Sequence, residues 1–251
     1  MIYIDQSKIP TDRPIKFLRG GIGDLLLRLD NINQKEFYIL LSHFTQAADL
    51  IKPYTSNFEY VFMDVPIGSI ANGEVEPVTY PTLKISGESL QKAKQNLSNK
   101  KIIGIHPIGS YLSRVCDASI DRPQKFMTDY FIKGVENSFN KEDFECILFC
   151  APNEISQFKH LGIKIVSEPN IWDCFAYISC CDLVIAVDSA VKSVSAIQHI
   201  PTIVLLGDYE DPYRDIFIKP YKEIVPVRFI NIDLALDQTI TEIIRIINTW
   251  T

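Results

Sequence analysis

Short apolar runs alternate with amphipathic segments along most of this chain. The apolar runs have strand length and lack the one-in-two alternation of a strand with one wet face. Continuous runs of this kind are typical of parallel strands, because helices cover both faces of the sheet. The pattern therefore predicts an α/β fold built from βαβ units. The predicted strands are residues 15–18, 37–41, 60–63, 101–107, 145–150, 164–166, 182–187 and 202–206, with a weaker edge strand at 78–83.

The segments between the strands predict helices and a division of the chain. A polar stretch at residues 98–100 separates an irregular first half from a more regular second half. We therefore predict two Rossmann-like parallel-sheet domains, at 1–98 and 99–251, with a single continuous sheet as the alternative. The predicted helices are residues 24–29, 45–51, 89–97, 127–139, 154–160, 171–180, 191–198 and 239–250.

The first strand end combines glycines with an acid. Gly20, Gly21 and Gly23 follow Arg19, and Asp24 then opens a Leu-rich segment. Glycine allows a tight turn and close approach of a ligand, and the dipole of the helix favours a carboxylate in its first turn. Because parallel sheets bind ligands beyond the carboxyl ends of their strands, Asp24 is a candidate functional residue. The alternative is that Asp24 only caps the helix.

The second half offers a phosphate-type turn and a basic loop. Asp188, Ser189 and Ala190 place a carboxylate, a hydroxyl and backbone N–H groups at a helix start, which suits a phosphate or a ribose hydroxyl. The alternative is again a simple cap. The polar loop 109–125 carries cations that could neutralise a pyrophosphate leaving group, or that only form a solvated surface. These cations are Arg114, Arg122 and Lys125.

Several function classes lose support from composition and motifs. The sequence has no GxxxxGK[ST] loop and no GxSxG elbow, and its glycine turn does not fit GxGxxG. The net charge of -6 gives no global reason to bind a polyanion. Four histidines and six cysteines without metal-type spacing predict no metal site. No apolar run reaches membrane-span length and no secretion signal is present, so we expect a cytoplasmic protein without an integral membrane segment.

Three stretches, in order, resemble the heptosyltransferase-like glycosyltransferases of family 9, which have the GT-B fold. Residues 17–24 are similar to that family's opening strand, which ends in an Arg, a small-residue turn and Gly-Asp. Residues 103–110 resemble the strand that opens its second domain, and 179–196 with 200–207 resemble its most recognisable block. The resemblance covers most of residues 15–30 and 101–250. It implies a GT-B-like arrangement, two Rossmann-like domains facing across a cleft.

The resemblance also implies roles for individual residues. Asp24 matches the catalytic base, Lys125 or Arg122 the loop cation on the donor phosphate, and Glu154 an acid near the donor ribose. Asp188, Ser189 and Ala190 match the turn that holds the donor's phosphates and sugar. This sequence departs from the family at Ala190, where the family has Gly, and at Ser193, where it has His.

The implied activity is transfer of a hexosyl, heptosyl or pentosyl group from a nucleotide-diphosphate donor to an acceptor hydroxyl, expected to be a saccharide's. The mechanism would be direct displacement without a metal or other cofactor, the nucleotide sugar being a co-substrate. Two alternatives stay open from the sequence. One is a phage-type enzyme that glycosylates hydroxymethylated bases in DNA, and the other is a non-catalytic nucleotide-binding protein of the same fold.

Overall fold

A computed structural model describes residues 6–42, 46–62, 81–109, 126–207, 218 and 221–250. The chain divides into two compact units, Met1–Lys84 and Ile85–Thr251. The division precedes the boundary predicted near residue 98, because the helix between these positions packs against unit 2.

Unit 1 contains a three-stranded parallel sheet within its described residues. Its order is β1-β2-β3, so β2 is central, and Tyr38 to Ser42 of β2 are all buried. Leu25 and Leu26 of the first helix and Leu50 and Ile51 of the second complete an apolar core. The elements are β1 (Ile15–Arg19), α1 (Ile22–Leu26), β2 (Phe37–Ser42), α2 (Gln46–Ile51) and β3 (Phe58–Phe62), with 3-10 turns at Gln6–Lys8 and Leu29–Asn31.

Unit 2 contains a six-stranded sheet within its described residues, and each neighbouring pair is parallel. The order is β6-β5-β4-β7-β8-β9. Together the two sheets confirm the predicted parallel α/β class. The strands are β4 (Lys101–His106), β5 (Phe144–Phe149), β6 (Lys164–Val166), β7 (Leu183–Val187), β8 (Thr202–Gly207) and β9 (Ile224–Phe229).

Helices pack on the sheet of unit 2, and several begin at side-chain caps. The caps are Ser86, Thr128 and Asn170, whose side chains accept the N–H groups of Ser89, Phe131 and Trp172. The helices are α3 (Gly87–Asn96), α4 (Asp129–Asn137), α5 (Ile155–Phe158), α6 (Ile171–Ile178), α7 (Ala190–Ile197) and α8 (Leu236–Ile247), with 3-10 turns at Pro152–Glu154, Lys159–Leu161 and Ile232–Ala235.

Helix α3 belongs to unit 2 because its polar face is bound to α6. Ser89 Oγ and Lys92 Nζ donate to the two carboxylate oxygens of Asp173, at 2.7 and 2.9 Å. One further turn along, Asn96 donates to the hydroxyl of Tyr177. The sequence predicts this helix at residues 89–97, within the first domain, and the partners that attach it to unit 2 lie about eighty residues later.

The strand β9 was not predicted from the sequence. It pairs with β8 from Ile224 to Phe229, and Pro226 lies in its middle. A proline cannot donate to a sheet and is found on edge strands, where its missing N–H matters least. The position of β9 at the end of the described sheet therefore explains how the proline is tolerated.

The central strand β4 leaves no room for a side chain at Gly104. A methyl group there would lie 2.7 Å from Phe149 Cε2 and 2.9 Å from Cys181 Sγ, both of them in the buried core. Overpacking of this kind costs about 1–3 kcal/mol, so we expect Gly104→Ala to lower the free energy of unfolding by that amount in urea. Gly87→Ala, at the open start of α3, is the matched control and should be neutral or slightly stabilising. Equal midpoints for the two variants would contradict this account of the core.

Candidate functional site

In unit 1, the carboxyl end of β1 is fixed to β2 through the glycine turn. Gly20 has φ +121°, a conformation that side chains rarely adopt. Its N–H donates to the carbonyl of Leu41, and its own carbonyl accepts from Ser42 Oγ at 3.1 Å. The turn that follows β1 is therefore held to the end of β2, and it sets where α1 begins.

Asp24 lies in the first turn of α1 and caps that helix. Its Oδ2 accepts the N–H of Gly21, the N-cap residue, at 2.9 Å, and the side chain is only partly buried. The predicted cap is therefore present. A cap and a base are compatible, since Oδ2 makes this bond and a carboxylate has a second oxygen. Gly23 lies within the same helical turn, and Arg19 is the last residue of β1.

In unit 2, the strand order reverses between β4 and β7. The chain runs outward from β4 through β5 to β6, returns to β7, and runs outward again through β8 to β9. Such a reversal opens a crevice at the carboxyl ends of the two central strands, the usual ligand position in an open parallel sheet. His106 ends β4, and Asp188 and Ser189 directly follow β7.

A hydrogen bond joins the two strands at this crevice. Ser189 Oγ and His106 Nδ1 are 3.0 Å apart. His106 is buried, and this burial lowers the pKa of its imidazole to about 4. The ring is therefore neutral at physiological pH, and its bond to Ser189 fixes the N-cap residue of α7.

The buried imidazole predicts a pH dependence of stability. His106 has a pKa of about 4 when folded and about 6.5 when unfolded. The unfolded chain therefore binds a proton first, and stability is lost as the pH falls from about 6.5 towards 4, up to about 3 kcal/mol. We expect His106→Gln to remove this component from urea unfolding measured across that range. The exposed His160→Gln is the control, and an unchanged slope in His106→Gln would contradict the prediction.

An ion pair lies beside the serine–histidine bond. Lys192 Nζ is 2.6 Å from Asp188 Oδ1, four residues back along the chain, and the exposed fractions of the two side chains are 6% and 20%. Lys192 is the third residue of α7. The start of α7 therefore brings together a carboxylate, an ammonium group, a hydroxyl and the first N–H groups of the helix.

The two residues that depart from the family pattern, Ala190 and Ser193, both lie in the first turn of α7. Ala190 is the first residue of α7, in right-handed helical conformation, so the turn does not require a glycine backbone at this position. Ser193 lies within the first turn of the same helix and is 3% exposed. The structure thus places Asp188, Ser189, Ala190 and Ser193 together at the start of α7.

Glu154 lies at the carboxyl end of β5, next to β4 in the sheet. Its side chain is fully buried, and its Oε2 accepts the N–H of Ala151 at 2.8 Å, which closes the turn after the strand. Neighbouring strands are about 4.8 Å apart, so the β5 and β7 ends are separated by about 10 Å. That spacing suits a nucleotide that extends over both strand ends.

The predicted basic loop lies almost entirely outside the part of the chain that the structure describes. Arg114, Arg122 and Lys125 fall outside the described residues, and their roles stay predictions. Over the ranges that are described, no group of three or more His, Cys, Asp or Glu side chains is arranged to hold a metal ion. Within the same ranges, no helix has the length and apolar character of a membrane span.

His106 and Lys192 are not among the candidate site residues predicted from the sequence. Ser189 and His106 are 83 positions apart, and their contact depends on the pairing of β4 with β7. Lys192 could have been found, because a Lys four residues after an Asp at a helix start lies within reach of it.

Comparisons with known proteins identify the fold. No family model matches the chain, and no curated protein matches it. The Escherichia coli ADP-heptose LPS heptosyltransferase II superposes on 95% of this chain and 76% of its own, with 14% identity and a TM-score of 0.55. The fold is GT-B-like. This agrees with the prediction from the sequence.

A second similar structure is a family 9 glycosyl transferase from Veillonella parvula. The match covers 83% of this chain and 66% of that chain, with 14% identity and a TM-score of 0.47.

Proposed function

We propose that this protein is a glycosyltransferase that moves a hexosyl, heptosyl or pentosyl group from a nucleotide-diphosphate donor to a saccharide hydroxyl. The observation that carries the proposal is the crevice between β4 and β7, where Asp188, Ser189 and the start of α7 meet at the reversal of strand order. A helix start with backbone N–H donors favours phosphate. The GT-B-like fold, shared with a heptosyltransferase, supports the same activity.

Unit 2 would bind the donor. The diphosphate would lie at the N-terminus of α7, where helix N–H groups and the dipole favour negative charge. Ser189, held by His106, would offer its hydroxyl at this point. Glu154 would border the ribose, and Lys125, Arg122 and Arg114 would neutralise charge on the departing nucleoside diphosphate.

Unit 1 would supply the base. Asp24 would take the proton of the acceptor hydroxyl while the oxygen of that hydroxyl attacks the anomeric carbon of the donor sugar. The bond from that carbon to the phosphate oxygen would break, and the nucleoside diphosphate would leave with the electron pair. Helix N–H groups and side-chain cations would stabilise this leaving group, so the proposed chemistry is metal-independent.

A thermal-shift panel tests donor binding. ADP, UDP, GDP and CDP would each be added separately. A nucleotide with a dissociation constant in the micromolar range, added at about 100 times that value, stabilises the folded protein by about 2.7 kcal/mol. For a chain of this size that corresponds to about 5–10 °C. We expect one nucleotide to give a shift of this order. No shift with any of the four would contradict the proposal.

Binding without transfer would instead support the non-catalytic alternative. The nucleotide that binds identifies which nucleotide sugars to test, and transfer is measured as nucleoside diphosphate released in the presence of saccharide acceptors. The alternative of an enzyme acting on hydroxymethylated DNA bases gains no support from the comparisons.

A further inference from the structure

The ion pair at the start of α7 is hard to explain as a device for stability. A cation in the first turn of a helix is opposed by the helix dipole, by about 0.3–1 kcal/mol at exposed sites. Burial of a Lys–Asp pair also removes both charges from water, and apolar residues of similar size are often as stable or more so. Lys192 has both disadvantages, since it is the third residue of α7 and its side chain is 6% exposed.

The position of the pair relative to the sheet favours a role in ligand binding. Asp188 directly follows β7, one of the two strands at the reversal of strand order, and Ser189 is bonded across that crevice to His106. The ammonium, 2.6 Å from Asp188 Oδ1, is therefore held near the carboxyl end of β7, where open parallel sheets usually bind ligands. The same sheet has a second Lys–Asp pair at its other end, between Lys101 and Asp182, where the exposed fraction of the lysine side chain is 52%.

The ammonium group of Lys192 would offset the charge of Asp188 toward an anionic ligand. A carboxylate beside a bound diphosphate would repel it, and the repulsion is stronger in a partly buried site than in water. Lys192 cancels the charge of Asp188 and adds N–H donors that can form charge-assisted bonds with phosphate. Asp188 in turn holds the lysine side chain in one position, which reduces the entropy lost when a ligand binds.

We propose that Lys192 is a specificity-determining residue that selects a diphosphate ligand over an uncharged nucleoside at the crevice between β4 and β7. The inference rests on the proposed function and adds to it a cation that belongs to α7 itself. The Asp188–Lys192 pair then acts as one unit, in which the carboxylate positions the ammonium and the ammonium binds phosphate.

The test compares two ligands on a set of variants by titration calorimetry. The ligands are the nucleoside diphosphate that gives the largest thermal shift and the matching nucleoside. A lost charge-assisted bond costs about 1.5–3 kcal/mol, so Lys192→Met should weaken diphosphate binding by about tenfold or more. Nucleoside affinity should stay within about twofold, because no phosphate is present, and Lys192→Arg should recover part of the loss by keeping the charge. Lys101→Met, which removes the lysine of the second pair, should bind both ligands like the parent protein.

The double variant Asp188→Asn/Lys192→Met separates phosphate binding from simple neutralisation of Asp188. It removes the carboxylate charge of Asp188 together with the ammonium, so it also provides a test if the Lys192→Met protein does not fold. The proposal expects diphosphate binding in the double variant to stay weak. Recovery of the parent affinity, or unchanged diphosphate affinity in folded Lys192→Met, would overturn it. If the parent protein binds none of the nucleotides, the proposed function is wrong. If the parent protein binds one and the Lys192 variants bind it equally well, only the role of Lys192 is wrong.

Discussion

Replacement of Asp24 by Asn is expected to lower the rate of sugar transfer by about 10²–10⁴-fold, the usual contribution of a general base. Asn keeps a side-chain oxygen that can still accept the N–H of Gly21, so the cap of α1 should survive. The variant removes basicity with little change in structure. Nucleotide binding is assigned to unit 2, and the thermal shift with the donor nucleotide should therefore match that of the parent protein.

Asp49→Asn is the matched control for this experiment. Asp49 also lies on a helix of unit 1, at the surface, where it pairs with Lys52 at 2.7 Å. We expect its transfer rate to stay within about twofold, since exposed pairs contribute little. A parent-like rate in Asp24→Asn would exclude Asp24 as the base and leave it as a helix cap alone.

Gly20→Ala is expected to give the second large effect, again on transfer. The φ of +121° is unfavourable for alanine, at a cost of about 1–3 kcal/mol. The added methyl would also lie 2.6 Å from Asp24 Oδ2 and 2.7 Å from Asp24 Cβ. The carboxylate must therefore move, and a displacement of about 1 Å in a reacting group can reduce the rate by about 10²-fold.

Gly162→Ala separates backbone strain from displacement of the acid. Gly162 also has a positive φ, of 68°, but no atom lies within 4 Å of an added methyl, and the residue follows the turn Lys159–Leu161 in unit 2. We expect Gly162→Ala to lower the free energy of unfolding while transfer by the folded protein is unchanged. Comparable losses of transfer in both variants, measured at temperatures where both are folded, would show that strain alone explains Gly20→Ala.

The sequence predicts the parallel strands well because their physical signal is local. Both faces of β4 and β7 are covered, so β7 and the interior positions of β4 form continuous runs without charged or polar side chains. The edge strand β9 has exposed positions and Pro226, and this mixed pattern gives no clear local signal. The attachment of α3 to α6 depends on partners distant in sequence, which explains why the division between the units lies earlier than residue 98.

The candidate site could likewise be predicted from the sequence only where its signal is local. Asp188 and Ser189 directly follow a predicted strand, and Asp24 follows the glycine turn after another, so the rule on carboxyl ends was enough to select them as candidates. The contact of Ser189 with His106 required the strand order 6-5-4-7-8-9, which local patterns do not give. The structure also shows that Asp24 is a cap, and its role as a base stays a prediction.

Hydrogen–deuterium exchange with the bound nucleotide tests most directly whether the crevice between β4 and β7 is the donor site. The exchange of backbone amides would be compared with and without a saturating amount of the nucleotide that gives the largest thermal shift. We predict slower exchange at the start of α7, from Ala190 to Ser193, and at the end of β4 around His106, with little change at the amino ends of the same strands. Protection confined to other segments while the nucleotide is bound would contradict the account.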